Sequence, residues 1–278
     1  MDYYRISFDK SESEVDNEIF IAFLAEYGFE SFEETENKIA GYIPVNKFSE
    51  KELEKIPFEN RSIFLKSMKK EKIAEQNWNA VWESNYPPVE IENKIFIYAP
   101  FHKKRDGFPY QILIKPKMSF GTAHHETTAM MMTLMLEEDF TGKNILDMGS
   151  GTAVLAILAS MKNAAHVDAV DNDSWAFDNA AENIKLNNIN NITPMLGDAS
   201  LLKIPENYHI ILANINKNIL LNDIPAYAKS LKKGGSIFFS GFYNTDLDDI
   251  KNKAGQFELL YDKHIEKNRW IAARFIKR

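Results

Sequence analysis

A chain of 278 residues, 45% of them hydrophobic, is long enough for one or two domains with a real core. It contains no cysteine, which excludes disulfides and thiolate zinc sites, and no signal-like start or long apolar span; a cytoplasmic protein that does not enter a membrane is expected. The formal charge of −7 is uneven: Met1 to Glu59 holds 15 Asp and Glu against 6 Lys and Arg, leaving 25 against 27, so −9 is followed by +2. An acidic front repels phosphate backbones and steers a basic protein toward itself, although a merely solubilising charge gives the same count.

Tyr3 to Phe8 alternates like a strand. Ser11 or Ser13 can cap a helix whose apolar residues Val15, Ile19, Phe20, Phe23, Leu24 and Tyr27 recur at helical spacing, and Gly28 should end it. Glu30 to Thr35 and Lys38 to Val45 read as a hairpin around Glu36-Asn37, Ser49 to Ile56 as a short helix ended by Pro57, and Ser62 to Met68 as a last strand. The order βαββαβ predicts a small α+β, ferredoxin-like domain over 1–68, a fold that says little about function without a site. Residues 69–86 are charged, stop at Pro87-Pro88 and predict a linker helix that packs through Trp78 and Trp82, leaving 87–278 as the second domain.

In that domain Ile91 to Ala99 and Gln111 to Ile114 read as strands separated by the basic loop His102-Lys103-Lys104-Arg105. The polar stretch SFGTAHHETT then runs into an apolar helix, Ala129 to Leu136, which Thr127 or Thr128 can cap. His124 and His125 are adjacent and cannot both point one way, so no metal is expected there. A polar loop feeding a buried helix is well placed to cover a ligand.

Lys143 to Asp173 carries the most information. Lys143 to Met148 is short enough for a buried parallel strand and is broken by Gly149-Ser150-Gly151. Thr152 can cap the helix that follows, and Ala153 to Met161 is too apolar all round for a surface helix. His166 to Val170 is a second strand ending in Asp171, 20 residues past Gly151. Strand, glycine turn, helix, strand and acid form a site for an adenosine-bearing cofactor, in which glycines admit the ligand to the backbone and the acid accepts from ribose hydroxyls. A dinucleotide fingerprint wants a third glycine where Val154 stands, which disfavours NAD without removing it.

Further on, Ser174 to Asn188 predicts a helix with Ala176, Ala180, Ile184 and Leu186 inward. Asn191 to Leu196 is a strand ending at Gly197-Asp198, and Tyr208 to Ala213 is a central strand delivering Asn214 to the same sheet edge. A helix over Lys217 to Leu231, a strand over Ser236 to Ser240, a helix near Asp246 to Ala254 and two closing strands complete a doubly wound α/β sheet of six or seven strands with an antiparallel end.

NWNAVWE at Asn77 to Glu83, FGTAHHETT at Phe120 to Thr128, ILDMGSGTAVLAI at Ile145 to Ile157, AVDND at Ala169 to Asp173, LANI at Leu212 to Ile215 and SGF at Ser240 to Phe242 occur together in one order. In this the whole chain resembles the bacterial ribosomal protein L11 methyltransferases, whose Rossmann-like seven-stranded domain uses S-adenosyl-L-methionine and whose small N-terminal domain holds the substrate. The departures are Lys117 and Ala123 in the loop and Thr152-Ala153 where the family more often has Ser-Gly. The resemblance implies that Thr128, Gly149 and Asp171 hold the cofactor, with Phe120, His125, Gly151, Asp198 and Asn214 completing its surroundings and Asp198 on the adenine amino group. It also implies that Asn214 is catalytic, beside the transferable methyl. The expected substrate is the basic ribosomal protein L11, at lysine side chains and the N-terminal amine, and the expected enzyme is a monomer without direct nucleic-acid contact. Another protein, a small molecule or RNA would use the same cofactor residues.

Overall fold

The computed structural model describes residues 3–73, 86–115 and 125–278; Trp78, Trp82, Lys117, Phe120, Ala123 and His124 lie outside them. The chain divides into two compact units, Met1–Tyr86 and Pro87–Arg278.

In the first unit β1 (Tyr3–Asp9), β2 (Ser31–Glu34), β3 (Lys38–Pro44) and β4 (Lys69–Ile73) form an antiparallel sheet in the order β2-β3-β1-β4. Helix α1 (Glu14–Tyr27) begins at Ser13, whose side chain accepts from the Asp16 N–H, and ends at Gly28 with φ 115°. That left-handed cap is a conformation glycine adopts at no steric cost. Its inward residues Phe20 and Leu24 meet Ile6 and Phe8 of β1 and Ile39 and Ile43 of β3. Two short helices, α2 (Glu50–Leu53) and α3 (Arg61–Leu65), follow. The segment expected as a last strand, Ser62 to Met68, is therefore mostly helical, and the strand comes after it, inside the stretch expected as linker helix. The reason lies in packing. Helix α3 lets Phe64 stack on Phe20 with centroids 4.1 Å apart, whereas the Lys69-Lys70-Glu71-Lys72 run suits an edge strand, where charge costs little and discourages pairing with other chains.

The second unit opens with a small sheet, β5 (Val89–Ile91), β6 (Ile95–Tyr98) and β7 (Tyr110–Leu113), in the order β5-β6-β7. The single strand expected over Ile91 to Ala99 is instead the second half of a hairpin, because Glu92 and Asn93 both turn to φ 51°. Helix α4 (Glu126–Leu136) starts from His125, whose ring accepts from the Thr127 N–H; Thr127 and Thr128 lie inside its first turn and do not cap it.

The main sheet contains β8 (Asn144–Met148), β9 (His166–Asp171), β10 (Ile192–Leu196), β11 (Tyr208–Asn214), β12 (Leu231–Tyr243), β13 (Leu259–Lys267) and β14 (Trp270–Lys277) in the order β10-β9-β8-β11-β12-β14-β13. Pairing is parallel from β10 through β12 and antiparallel for β14 and β13. Helices α5 (Val154–Met161), α6 (Ser174–Leu186), α7 (Lys217–Ser230) and α8 (Leu247–Gly255) alternate with the strands. Both faces are covered, and neighbours along a strand go to opposite cores: Ile145, Ile210, Leu212 and Phe238 to one with α4, α5 and α6, and Leu146, Ile211, Ala213 and Phe239 to the other with α7 and α8. Leu186, expected inward, is 37% exposed because it lies two positions after the buried Ile184, on the other side of α6. Among the described residues no helix is long and apolar enough to cross a membrane.

The start of α5 differs from expectation. Thr152 does not cap it; the cap position is Ala153, at φ 62° and ψ 21°, with no side chain able to accept a hydrogen bond. Asp147 does that work from β8, its carboxylate accepting the Ala156 N–H at 3.0 Å. A non-glycine residue in the left-handed region is strained by about 1–2 kcal/mol, of which glycine's extra freedom in the unfolded chain offsets roughly half. Ala153→Gly is expected to raise stability by about 0.5–1 kcal/mol, or roughly one to three degrees in thermal midpoint. A lower midpoint by calorimetry would show that this turn stores no strain.

Candidate functional site

Strand order reverses between β8 and β11, whose neighbours run outward on opposite sides, and a crevice opens at the carboxyl ends of such strands. The sequence puts its unusual residues at that edge. Gly149, with φ 72°, follows β8; its N–H and that of Ser150 both donate to the Val170 carbonyl, at 2.8 and 3.0 Å, which folds the turn onto β9. Any side chain here would collide, since a Cβ on Gly149 would lie 2.2 Å from Ile215 Cγ2. From the other side a Cβ on Gly241 would lie 2.3 Å from the Ile215 carbonyl oxygen. The segment after β11 is thus wedged between two glycine backbones. Ser240 secures the far wall: its backbone carbonyl accepts from the Ile215 N–H at 3.1 Å and its hydroxyl donates to the Ile271 carbonyl at 2.6 Å.

Asp171 ends β9. One carboxylate oxygen accepts from the Gly151 N–H at 2.8 Å and the other from the Asp173 N–H at 3.0 Å. Gly151 therefore serves the site by fixing Asp171, and its own N–H is already engaged. Asp198 follows β10 and accepts from the Ser200 N–H at 2.9 Å; the Ser200 hydrogen bonds hold its carboxyl below the ordinary aspartate value. Beneath the turn, burial pushes the Asp147 carboxyl up to about 7, the Ala156 N–H pulls the other way and the charge of Asp171 adds a smaller upward push.

Two clefts share Ile215 and Ile219 as their common wall. The first has apolar sides from Met148, Ile215 and Ile219 and carboxylates from Asp171, Asp198 and Asp223, with Gly149 and Gly197 leaving backbone open. None of its lining residues among the described ones is basic. The second, about 340 Å³, lies between His125 and Thr127 of the α4 start, Asn214 at the end of β11 with Asn216 just beyond it, and Trp270. Trp270 stands with its ring 4.9 Å from His125 and 4.1 Å from Tyr243, an aromatic wall on one side. Asn214 lines the second cleft, one residue before the shared Ile215. It is 9% exposed, its amide nitrogen donates to the Thr128 hydroxyl at 3.2 Å, and its amide oxygen is buried without a partner among the described residues. An orphaned buried acceptor costs about 1–3 kcal/mol and is retained where a ligand supplies the donor.

Of the residues singled out in the sequence, His125, Thr128, Gly149, Gly151, Asp171, Asp198 and Asn214 come to one edge of the sheet, and Phe120 lies outside the described residues. Sequence reasoning did not find Ile215, Ile219, Asp223 or Trp270. Ile219 and Asp223 are four apart on α7, so once Asn214 was taken as a strand end, the first turns of the next helix were the place to look.

The profile of the family described as ribosomal protein L11 methyltransferase (PrmA) matches residues 5–278. The chain is 43% identical over 282 residues to the ribosomal protein L11 methyltransferase of Phocaeicola vulgatus, covering 99% of each, and 39% identical to that of Bacteroides fragilis, covering 99% of this chain and 100% of the relative. The crystal structure of the ribosomal protein L11 methylase from Lactobacillus delbrueckii subsp. bulgaricus superposes with a TM-score of 0.63 at 25% identity, over 69% of this chain and 99% of that one.

Proposed function

The chain belongs to the ribosomal protein L11 methyltransferase family, and from that premise we propose that it transfers methyl groups from S-adenosyl-L-methionine to lysine side chains and the N-terminal amine of ribosomal protein L11. The buried amide oxygen of Asn214, without a partner among the described residues and lining the second cleft one residue before the Ile215 that both clefts share, carries this reading. It is an acceptor open to a donor in the place for a side chain, beside the wall of the place for a nucleoside.

The residues fit the cofactor. The first cleft offers apolar walls for a flat ring and acceptors for hydroxyl and amino groups. With the Gly151 N–H already taken and three carboxylates in the lining, a pyrophosphate finds repulsion there, which argues against a dinucleotide. Asp171 would hold the ribose hydroxyls, Asp198 the adenine amino group and Gly149 the approach of the ligand to the backbone. When bound, S-adenosylmethionine supplies an activated methyl group.

The rest falls to the chain. A lysine amine titrates near 10.4 in water and attacks only after losing its proton. Thr128 fixes one end of the Asn214 amide, so its oxygen points the other way, able to accept an N–H from an incoming amine and aim the lone pair. The apolar wall of Trp270 beside it suits the stem of a lysine and lowers the stability of an ammonium head in favour of the neutral amine. The acidic first unit, with the sheet order β2-β3-β1-β4 of a ferredoxin-like domain, would dock the basic substrate and is the reading's substrate-recognition domain. Since β4 pairs with β1, that unit extends past residue 68 to at least residue 73.

The test is an intact-mass assay of unmethylated ribosomal proteins incubated with the protein and S-adenosylmethionine. Methyl-sized increments confined to L11 are expected, and residues 87–278 alone are expected to bind cofactor yet give none. Increments on other proteins or on RNA would reassign the substrate, and full activity of the truncated chain would remove the docking role.

A further inference from the structure

Asp198 is one acid at the nucleoside end of the first cleft, and Asp223 is another that no part of the proposed chemistry uses. Asp223 comes from the second turn of α7 and lines the cleft opposite the glycine turn. It is held in place. One carboxylate oxygen accepts from the Tyr227 hydroxyl at 3.2 Å, one turn along the helix, and the other from the Asn222 side chain at 2.7 Å. Asp198 is equally fixed by the Ser200 N–H. Both negative charges act on the buried Tyr227 phenol, whose ionisation they oppose together with burial, so the two carboxylates lie near the same hydroxyl. Two like charges lining one small space, with no basic residue beside them among the described lining residues, repel each other, and a ligand edge that only donates relieves this.

Ile215, Ile219 and Met148 supply flat apolar contact for a heterocycle between these acids and Asp171. A purine that places its ribose at Asp171 presents its six-membered ring to the other end of the cleft. An exocyclic amino group there has two N–H donors and no useful acceptor, matching two carboxylates, whereas a carbonyl at the same position meets them with a lone pair. We propose that Asp223 acts with Asp198 as a paired acceptor for the 6-amino group of the purine, making Asp223 a specificity-determining residue of the cofactor site. This rests on the S-adenosylmethionine reading above.

The test is calorimetric binding of S-adenosylhomocysteine and its 6-oxo counterpart, S-inosylhomocysteine, to the full chain. The unaltered protein is expected to prefer the 6-amino ligand by about 100-fold or more, since a carbonyl both loses two donors to carboxylates and turns a lone pair toward them. Asp223→Asn, which turns one acceptor into a group that also donates, is expected to shrink that preference by about tenfold or more, and Asp223→Ala to weaken the 6-amino ligand by about tenfold, with thermal midpoints little changed. Failure of the unaltered protein to bind either ligand sinks the cofactor reading itself. Binding without discrimination in the unaltered protein, or with discrimination untouched by both Asp223 variants, leaves that reading standing and overturns the role of Asp223.

Discussion

Asn214→Ala is expected to lower turnover on protein substrate by about 100- to 1,000-fold while changing the affinity for S-adenosylmethionine by less than about tenfold. The amide nitrogen has its partner, the Thr128 hydroxyl, and the amide oxygen, at 9% residue exposure, has none among the described residues. β11 carries Asn214 to the sheet edge at the point where strand order reverses, and Ile215 immediately after it is clamped between Gly149 and Gly241, so the amide cannot drift. A group so fixed contributes by aiming a nucleophile, which is felt in the chemical step more than in ground-state binding. Alanine removes the acceptor and also releases Thr128, which predicts a modest stability cost of about 1 kcal/mol. Separate measurement of kcat by methyl incorporation and of cofactor Kd by calorimetry decides the matter. A loss confined to cofactor affinity, with turnover at saturation preserved, would move Asn214 out of the reaction and into the cofactor's binding surface.

How much of this was legible beforehand depends on the range over which each feature is determined. The central strands could be read because alternation is local: Ile145 and Leu146, or Phe238 and Phe239, must face opposite cores whatever else the chain does. Asp171 and Asn214 could be placed because a strand's end follows from its length. Ser62 to Met68 reads as a strand, yet seven residues with scattered apolar positions also satisfy about two helical turns, and the stacking of Phe64 on Phe20, 44 positions earlier, decides between them. The left-handed backbone at Ala153 was hidden for a different reason: Asp147, across the turn, caps the helix in place of a local side chain. Trp270 and Asp223 were invisible as site residues because only the sheet order brings β14 and α7 to the crevice. Periodicity says which way a residue faces, and topology says what it faces.

Asp171→Ala is expected to weaken binding of S-adenosylmethionine by roughly 100- to 10,000-fold with the fold retained, since hydrogen bonds from two ribose hydroxyls to a carboxylate each contribute about 1.5–3 kcal/mol. The geometry also predicts that the gentler change, Asp171→Asn, is nearly as damaging. Both carboxylate oxygens already receive a backbone N–H, one from Gly151 and one from Asp173. An amide must turn its NH₂ toward one of these donors, breaking that bond and turning the side chain away from the direction in which it would meet the ribose. The turn itself survives either substitution because Gly149 and Ser150 still donate to the Val170 carbonyl. There is a compensation beneath it: the charge of Asp171 helps push the Asp147 carboxyl up to about 7, so removing that charge lets the buried acid ionise more readily while it caps α5. Stability is therefore expected to change little while affinity collapses. Calorimetric titration of both variants with S-adenosylhomocysteine, paired with thermal midpoints, separates the two quantities. A dissociation constant within about threefold of the unaltered protein's would mean that the ribose is held elsewhere and that Asp171 serves only to shape the turn.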